Sequence, residues 1–267
     1  MELFSLKDKT AVVTGSLGLI GKEHCRALSE AGANVIAADL DADKCGEFAL
    51  TLLTESMGIS LDVTSPESVN GLRDKVIQKF GHIDILVNNA AINDMFEDPK
   101  AASEQSKFEN YPLELWQKSI DVNLTGVFLC SQIIGNVMSV QKKGSIINIA
   151  STYGITAPDQ SLYKKVDGTQ SFYKPPAYSA TKGAVIMFTK YLAAYWGSNG
   201  VRVNTLTPGG VENSQDEFFI RKYSAKTILG RMAKPSDYKG ALIFLASDAS
   251  SYMTGANLVV DGGWTAW

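Results

Sequence analysis

Short runs of β-branched and other apolar residues recur along the chain, separated by longer stretches that mix apolar and polar positions. The runs are almost continuously apolar, as strands are when both faces of a parallel sheet are buried. They predict strands over Thr10–Thr14, Asn34–Ala38, Gly58–Val63, Asp84–Val87, Ser145–Ala150, Val201–Leu206 and Asn257–Val260.

The longer stretches have the spacing of amphipathic helices. Ser65 and Pro66 give one of them a clear start signal, because serine caps a helix and proline fits its first turn. Helices are predicted over 19–31, 42–56, 66–80, 112–140, 177–198 and 235–247. This alternation predicts an α/β fold, a doubly wound and mainly seven-stranded parallel sheet with helices on both faces.

Two segments interrupt the alternation. Residues 92–111 and 152–177 are polar, contain proline or glycine, and show no period. Long loops of this kind usually carry function. Each follows a strand, so we expect both at the carboxyl edge of the sheet, where ligands bind in such folds. Residues 1–267 are predicted to form one domain, with 92–111 and 152–177 as active-site insertions.

The first strand leads directly into a glycine-rich turn and a helix. Glycines at this position let the backbone approach a pyrophosphate, which the helix N-terminus then stabilises. The alternative is a tight strand-to-helix turn that binds no ligand. We predict dinucleotide binding in a Rossmann-type fold by the residues of this turn, Gly15, Ser16, Leu17, Gly18, Leu19, Ile20 and Gly21.

Asp39 ends the second strand and follows Gly21 by 18 residues. An acid at about this spacing accepts hydrogen bonds from the adenosine ribose hydroxyls and repels a 2′-phosphate. The neighbouring residues Ser16 and Leu40 offer no arginine to such a phosphate. The pattern therefore favours NAD(H) over NADP(H), although a solvated acid at a strand end would look the same.

Composition excludes several classes of protein. The formal net charge of −3 argues against a nucleic-acid partner, because phosphate contacts require a basic surface. Only two histidines are present, so no metal site is predicted. The N-terminal residues lack the pattern of a secretory signal and no apolar stretch is long enough for a membrane span. With three scattered cysteines, these features predict a soluble cytoplasmic protein.

The sequence resembles the compact form of the short-chain dehydrogenase/reductase family, and the resemblance covers nearly the whole chain. Each motif alone is weak, but the set is specific. The motifs are Asp62-Val63, Asn88-Asn89-Ala90-Ala91, Asn123 in DVNLTG, Ser151 in IAST, Tyr178-Ser179-Ala180-Thr181-Lys182, Pro208-Gly209 and Val260-Asp261-Gly262-Gly263.

The resemblance implies further cofactor contacts. Asp62 and Val63 would contact the adenine end, and Asn88 would support the central strand. The turn at Pro208 and Gly209 would lie beside the nicotinamide. The remaining cofactor-binding residues that it implies are Asn89, Ala90, Ala91, Tyr178, Lys182 and Val211.

Three features depart from the family pattern. The glycine motif is that of extended members, whereas compact members carry the middle glycine at the position of Leu19. Ser151 and Tyr178 are 27 residues apart, about twice the usual separation. Asn213 stands where a threonine often follows the proline-glycine turn, which puts a contact to the nicotinamide amide in doubt.

The predicted catalytic residues are Asn123, Ser151, Tyr178 and Lys182. On a helix Tyr178 and Lys182 share one face, and an ammonium about 4 Å from the phenol would lower its pKa by several units. Tyr178 would then exchange a proton with the substrate while the nicotinamide exchanges a hydride. By resemblance, Ser151 would hold the substrate oxygen, Lys182 would bind the nicotinamide ribose and Asn123 would hold a water.

The substrate is suggested by segment 152–177, which carries lysines and aromatic residues with polar tips. Such side chains suit a sugar, a sugar derivative or another polyhydroxylated or anionic small molecule. The two insertions also resemble those of dehydrogenases from bacterial surface-sugar pathways, including flagellin glycosylation. Alternatives are a 3-oxoacyl-carrier-protein type reductase, which Asp39 disfavours, and a non-catalytic NAD(H)-binding protein. The resemblance also implies a homotetramer or homodimer formed by the helices within 112–140 and 177–198.

Overall fold

The computed structural model describes residues 2–93 and 102–267. One parallel sheet has the strand order β3-β2-β1-β4-β5-β6-β7, so the prediction of a seven-stranded doubly wound sheet is confirmed. The strands are β1 (Thr10–Thr14), β2 (Asn34–Asp39), β3 (Met57–Ser60), β4 (Ile85–Asn88), β5 (Gly144–Ile149), β6 (Val201–Pro208) and β7 (Asn257–Val260).

The described helices surround this sheet. They are α1 (Leu19–Glu30), α2 (Ala42–Ala49), α3 (Pro66–Phe80), α4 (Ala102–Gln105), α5 (Leu113–Ile120), α6 (Gly126–Gln141), α7 (Pro176–Trp196), α8 (Glu217–Ser224) and α9 (Lys239–Ala246). A π-helical turn, Asp121–Thr125, joins α5 to α6.

Each strand contributes alternate side chains to two separate cores. On β1, Ala11 and Val13 pack with α1, α2 and α9 on one face. Val12 faces the other side and packs with α3, α6 and α7. Since successive strand residues point to opposite faces, the continuous apolar runs serve both cores at once. Both faces of the sheet are therefore buried.

The predicted helix over 42–56 is too long, because α2 ends at Ala49. The Ser29 hydroxyl accepts hydrogen bonds from the backbone N–H groups of Leu53 (2.8 Å) and Thr54 (3.2 Å). The Thr54 hydroxyl in turn donates to the carbonyl of Ala33. These side chains offer the backbone an alternative to helical bonding, so the segment turns back early to enter β3.

Two other predictions also needed correction. The predicted helix over 112–140 is interrupted by the π-helical turn, and no helix was predicted where α8 forms. Asp216 starts α8 as its N-cap, with its carboxylate accepting from the N–H of Phe219 at 2.9 Å. That capping signal stands in the sequence, but a single acid before an eight-residue helix is easily overlooked.

Both predicted insertions leave the carboxyl edge of the sheet, one after β4 and the other after β5. Residues 94–101 of the first lie outside the described residues. The second contains two 3-10 turns, Thr152–Gly154 and Gln160–Tyr163, and a bridge between Lys164 and Gln170. It is therefore ordered by its own hydrogen bonds and packs above the sheet.

The stretch Leu113–Gln141 is long and apolar enough to cross a membrane by length and composition alone, which the sequence argument had not expected. Within it, α6 buries Cys130, Ile134 and Met138 in the core beside α3. Ser131 on the same helix bonds to Asn88 of β4. We interpret this stretch as a core helix of the α/β fold.

Candidate active site

A cavity of about 650 Å³ opens at the carboxyl edge of the sheet. Its walls come from the turn after β1, the ends of β2 and β3, the segments after β4, β5 and β6, and parts of α7 and α8. The predicted site residues that line it are Gly15, Gly18, Leu19, Ile20, Gly21, Asp39, Asp62, Val63, Asn89, Ala90, Ala91, Ser151, Tyr178, Pro208, Gly209 and Val211.

The other predicted residues do not line the cavity; they are Ser16, Leu17, Asn123 and Lys182. The N–H of Ser16 donates to the carbonyl of Ala38 at 3.1 Å. The N–H of Leu17 donates to the Asp39 carboxylate at 2.9 Å. Both donors are therefore used inside the protein, which leaves neither for the phosphate contact expected of these two residues.

The glycine-rich turn fits a nucleotide pyrophosphate. Gly15 has φ +63°, and a Cβ there would lie 2.7 Å from the Cα of Ala90. A Cβ at Gly21 would lie 2.1 Å from the carbonyl oxygen of Gly15. Gly18 caps α1 without a side-chain hydrogen bond, so no side chain covers the first N–H groups of this helix. The backbone N–H groups at the N-terminus of α1, and the positive end of its dipole, are thus directed toward the cavity, as in other anion-binding turns.

Asn89 and Thr14 hold this turn in place. The Asn89 side-chain amide donates to the carbonyls of Thr14 (3.0 Å) and Gly15 (2.9 Å). The Thr14 hydroxyl accepts the backbone N–H groups of Asn89 and Ala90, both at 3.0 Å. The side chain of Asn89 therefore fixes the glycine turn to the end of β4, a bracing role that the sequence argument did not assign to it.

Asp39 and Asp62 lie at the β2 and β3 side of the cavity. One Asp39 carboxylate oxygen accepts from Leu17 and the other accepts from the N–H of Leu40 at 2.8 Å. Asp62 accepts from both the N–H and the hydroxyl of Thr64. These hydrogen bonds hold both carboxylates at fixed positions, from which they could accept hydrogen bonds from a ribose or an adenine.

Ser151 and Tyr178 meet on the opposite side, beyond β4. Ser151 follows β5, and its hydroxyl accepts the N–H of Tyr153 at 3.2 Å. Tyr178 lies in the first turn of α7, and its side chain lines the same cavity close to Ser151. Two polar groups therefore converge on one place in the cavity wall, as a site that binds and protonates one oxygen atom requires.

Lys182 is buried near the Tyr178 ring and is hydrogen-bonded to the end of β5. It is 4% exposed, its Nζ donates to the backbone carbonyl of Ile149 at 2.8 Å, and it lies 5.8 Å from the Tyr178 ring centroid. Burial lowers the pKa of Lys182 to about 8. Burial also raises the pKa of Tyr178, which the Ser151 hydrogen bond opposes in part. In the protein by itself, the expected lowering of the Tyr178 pKa by Lys182 is therefore wrong.

The buried lysine predicts a pH-dependent stability. Below pH 8 Lys182 is charged in both states, so the folded protein carries the full cost of desolvating the ammonium. That cost disappears as the pH rises from 8 toward the unfolded value of 10.5, which amounts to about 3 kcal/mol. Lys182→Met should therefore be more stable than the parent protein at pH 7, and this difference should shrink by pH 9.5.

Denaturant unfolding of the parent, Lys182→Met and Lys190→Met proteins checks this prediction. Lys190 lies on the same helix but is exposed, so its replacement should change the free energy of unfolding little at either pH. A stability difference between Lys182→Met and the parent that stays the same at both pH values would contradict a charged buried lysine.

Asn123 lies in the π-helical turn and is fully buried. Its amide oxygen accepts the N–H of Ile92 at 2.7 Å, and its amide nitrogen donates to the carbonyl of Ile92 at 2.9 Å. The same nitrogen lies 3.5 Å from the hydroxyl of Thr181 on α7. Asn123 thus joins the segment after β4 to the helix that carries Tyr178, and its structural contacts are to Ile92 rather than to the cavity.

Sequence reasoning missed part of the cavity wall. Phe219 and Tyr223 come from α8, which was not predicted, and Tyr223 accepts the N–H of Gly210 with its hydroxyl. Tyr153 and Tyr163 were not missed: they belong to the second insertion, whose aromatic residues the sequence suggests for the substrate, and their hydroxyls lie 3.1 Å apart. Trp264 stacks on Tyr223 with a centroid distance of 4.3 Å. Tyr153, Tyr163, Phe219 and Tyr223 form an aromatic wall of the cavity, and Trp264 supports this wall through Tyr223.

A glycine-rich βα turn, an acid at the end of the second strand and a Ser–Tyr pair at one sheet edge define a nucleotide-dependent dehydrogenase. The chain belongs to the short-chain dehydrogenase/reductase family: the family model described as "Enoyl-(Acyl carrier protein) reductase" matches residues 18–265. The protein is thus an oxidoreductase that acts on CH–OH or C=O groups of small molecules with a nicotinamide cofactor.

Individual relatives cover almost the whole chain. The 3-alpha-(or 20-beta)-hydroxysteroid dehydrogenase of Mycobacterium tuberculosis strain H37Rv is 36% identical over 98% of this chain and 91% of its own length. The D-threitol dehydrogenase of Mycolicibacterium smegmatis is 34% identical over 98% and 95%. The structure of a gluconate 5-dehydrogenase from Burkholderia cenocepacia with NADP and tartrate is similar, with a TM-score of 0.86, 31% identity and coverage of 100% and 98%.

Within residues 2–93 and 102–267, no group of three or more histidine, cysteine or acidic side chains is placed to hold a metal ion.

Proposed function

We propose that this protein oxidises or reduces a polyol, a sugar or a related polyhydroxylated small molecule with NAD(H), using Tyr178 as the proton-exchanging group. The observation that carries the proposal is that Ser151 and Tyr178 line one wall of a cavity that also contains the open N-terminus of α1. The matched family model and the alcohol dehydrogenases among the relatives support it.

The chain supplies binding, orientation and proton transfer. The glycine turn and α1 would hold the pyrophosphate, Asp39 the adenosine ribose, and Pro208, Gly209 and Val211 the nicotinamide end. The bound nicotinamide supplies hydride acceptance or donation at its C4 atom. Ser151 would donate a hydrogen bond to the substrate oxygen, and Tyr178 would take or return the proton of that oxygen.

Lys182 would act from behind this pair. Its ammonium is anchored on the Ile149 carbonyl and lies 5.8 Å from the Tyr178 ring centroid, so it would help to hold the ring in place. The same ammonium would donate to the nicotinamide ribose, and Asn123 would position the surrounding backbone through Ile92. The water that the family resemblance assigns to Asn123 stays a prediction.

The preference for NAD(H) rests on Asp39. The two oxygens of this carboxylate already accept backbone N–H groups, which holds it where it would repel a 2′-phosphate. The same carboxylate accepts hydrogen bonds from the N–H groups of Leu17 and Leu40, which could otherwise donate to that phosphate. The Burkholderia relative was solved with NADP, so the proposed preference would differ from the cofactor in that structure.

The substrate class is supported by the aromatic wall and by the relatives. Tyr153 and Tyr163 present hydroxyl groups at the Ser151 side of the cavity, which suits a ligand with several hydroxyls. D-threitol and gluconate are both polyhydroxylated. Residues 92–111 and 152–177 would be substrate-side insertions in a single domain, and the buried free thiols Cys25, Cys45 and Cys130 support a cytoplasmic location.

A spectrophotometric assay tests the proposal. The purified protein with NAD⁺ should form NADH with one or more alditols, aldoses or polyhydroxylated acids. A 3-oxoacyl thioester with NADH as the reductant belongs in the same panel, because the description of the matched family model favours a reductase of acyl-carrier-protein substrates as a second candidate. Turnover of the thioester alone would replace the proposed function, and NAD⁺ binding without any turnover would favour a non-catalytic protein.

We also propose that the protein forms a homodimer or homotetramer through α6 and α7. Phe188, Tyr191 and Tyr195 follow each other on α7, with successive rings stacked at centroid distances of 6.3 and 6.1 Å. Tyr191 and Tyr195 are 60% and 64% exposed, and Phe128 of α6 is 41% exposed beside them. An exposed aromatic surface of this kind is typical of a protein–protein contact.

Tyr191→Glu should therefore lower the molar mass in solution, because a charge would be desolvated in the contact. Light scattering after size-exclusion chromatography measures the mass. Tyr252→Glu replaces a fully exposed tyrosine elsewhere and should leave the mass unchanged. The contact would lie elsewhere if Tyr191→Glu keeps the mass of the parent assembly.

A further inference from the structure

The turn that follows β6, residues 208–211, lies between two cavities, and we call it the β6 turn. Gly209 and Gly210 line the main cavity, at the end that the proposed function assigns to the nicotinamide. They also line a second cavity of about 190 Å³, together with Tyr223 and Tyr238. Because space borders this turn on two sides, close packing alone does not fix its position, and its hydrogen bonds decide where it lies.

Gly209 is fixed from the side of β7. Its N–H donates to the carbonyl of Val260, the last residue of that strand, at 3.0 Å. Its own carbonyl accepts the hydroxyl of Tyr238 at 3.0 Å. A Cβ at Gly209 would lie 2.8 Å from the Cα of Asp261. This half of the β6 turn is therefore held by the sheet and its nearest neighbours.

Gly210 depends on Tyr223 of α8. Its N–H donates to the Tyr223 hydroxyl at 2.6 Å, and its carbonyl accepts the N–H of Ala233 at 2.9 Å. A Cβ at Gly210 would lie 2.4 Å from Cζ and 2.6 Å from the hydroxyl oxygen of that tyrosine. Only glycine therefore lets the tyrosine hydroxyl approach the backbone of the β6 turn this closely.

Tyr223 is itself held in one orientation. It is 4% exposed, and its ring stacks on Trp264 with a centroid distance of 4.3 Å. Asp261 closes the segment around that tryptophan by accepting hydrogen bonds from Gly263 and Thr265. Burial raises the pKa of Tyr223, so its hydroxyl stays neutral. The place of this hydroxyl is thus set by α8 and the C-terminal segment.

We infer that Tyr223 is a positioning residue for hydride transfer, whose hydroxyl holds the β6 turn in the place against which the nicotinamide would rest. The inference rests on the proposed function and deepens it. The glycine turn and Asp39 follow β1 and β2, and β4 and β5 separate them from β6. Cofactor affinity should therefore depend little on Tyr223. The rate of the chemical step should depend on it strongly, because a misplacement of about 1 Å costs on the order of 100-fold.

Tyr223→Phe tests the inference, because it removes the hydroxyl and keeps the ring. With a turned-over substrate, kcat per cofactor site should fall by about 10- to 100-fold, and the single-turnover rate of NADH formation should fall equally. Calorimetry gives the number of sites and the dissociation constant of NADH, which should change by less than about threefold. Loss of folded protein would lower the number of sites and leave kcat per site unchanged. The pH profile of kcat should keep its shape, because Tyr223 exchanges no proton with the substrate.

Gly210→Ala tests the other partner of the contact. Its Cβ would collide with the Tyr223 ring, so the turn or the ring must move, and the same loss in the chemical step is expected. Gly71→Ala is the control for this change, because a Cβ at Gly71 on α3 would meet no other described part of the chain within 4 Å. Tyr252→Phe is the control for the tyrosine change, because Tyr252 is fully exposed. Neither control should alter kcat.

The fluorescence of bound NADH gives a readout that needs no turnover. Emission from the reduced nicotinamide depends on how firmly the protein holds its ring. At saturation, the emission per bound NADH should therefore differ between Tyr223→Phe and the parent, and should be the same in Tyr252→Phe and the parent. If no substrate is turned over but this difference is found, the proposed function fails and the positioning role stands.

Three results would overturn the inference. They are unaltered NADH emission in Tyr223→Phe, a kcat per site equal to that of the parent, and a loss of NADH affinity as large as the loss in kcat. The last would assign the hydroxyl to cofactor binding. Turnover of a polyol by the parent protein would leave the proposed function intact in each case.

Discussion

Tyr178→Phe should lower the turnover of this enzyme by about a hundredfold or more, because the substrate oxygen would lose its proton-exchanging partner. The affinity for NAD⁺ should change little. Only the hydroxyl is removed, and the ring keeps its packing against Leu162 and its neighbours in the aromatic cluster. Steady-state kinetics and calorimetric titration with NAD⁺ measure the two effects separately.

Tyr173→Phe is a suitable control for this change. Tyr173 lies in the second insertion, shortly before α7, and does not line the main cavity. Its hydroxyl should therefore be dispensable for turnover. Near-normal activity of Tyr178→Phe would remove Tyr178 from the mechanism. A matching loss of NAD⁺ affinity would instead show that the hydroxyl acts in cofactor binding.

Asp39→Ser should change the cofactor preference, with the ratio of kcat/KM for NAD⁺ to that for NADP⁺ falling by about a hundredfold or more. Two effects add in the same direction. The repulsion of a 2′-phosphate disappears, and the N–H groups of Leu17 and Leu40 lose their acceptor and become donors for that phosphate. Kinetics with each cofactor at a fixed substrate concentration measure the ratio.

Asp43→Asn is the control for this charge change, because Asp43 is exposed on the neighbouring helix α2. It should leave the cofactor ratio unaltered. A ratio in Asp39→Ser that equals that of the parent would mean that Asp39 does not read the ribose, and the argued preference for NAD(H) would be wrong.

The sheet could be predicted from the sequence because its strands are buried on both faces. A run such as Thr10–Thr14 is buried along its whole length, so it stands out from the mixed stretches around it. The strand bounds of β1 and β7 agree with the prediction. The end of α2 could not be predicted. It depends on the Ser29 hydroxyl, which accepts the backbone N–H groups of Leu53 and Thr54 but lies far from residues 50–56 in the sequence.

Site residues could be predicted where they follow a strand directly or belong to a motif with a fixed spacing. Ser151, Tyr178 and Asp39 fall in this class, and the structure brings all three to one cavity. The electrostatics of the site could not be predicted in the same way. Spacing alone placed Lys182 on the Tyr178 face of the helix, but burial and the Ile149 carbonyl decide where its charge is directed.

The aromatic wall shows a second limit of sequence reasoning. Tyr223 and Trp264 come from distant parts of the chain and stack only because α8 and the C-terminal segment meet above the sheet. Contacts of this kind depend on the tertiary fold, and no local periodicity reports them.

A crystal structure of Tyr178→Phe with NAD⁺ and a turned-over substrate bound tests the central claim most directly. We expect the reacting oxygen within hydrogen-bond distance of the Ser151 hydroxyl and beside the position of the missing phenol hydroxyl. The carbon that bears it should lie about 3 to 3.5 Å from C4 of the nicotinamide. A nucleotide bound away from the glycine turn, or a substrate oxygen turned away from residues 151 and 178, would contradict the account.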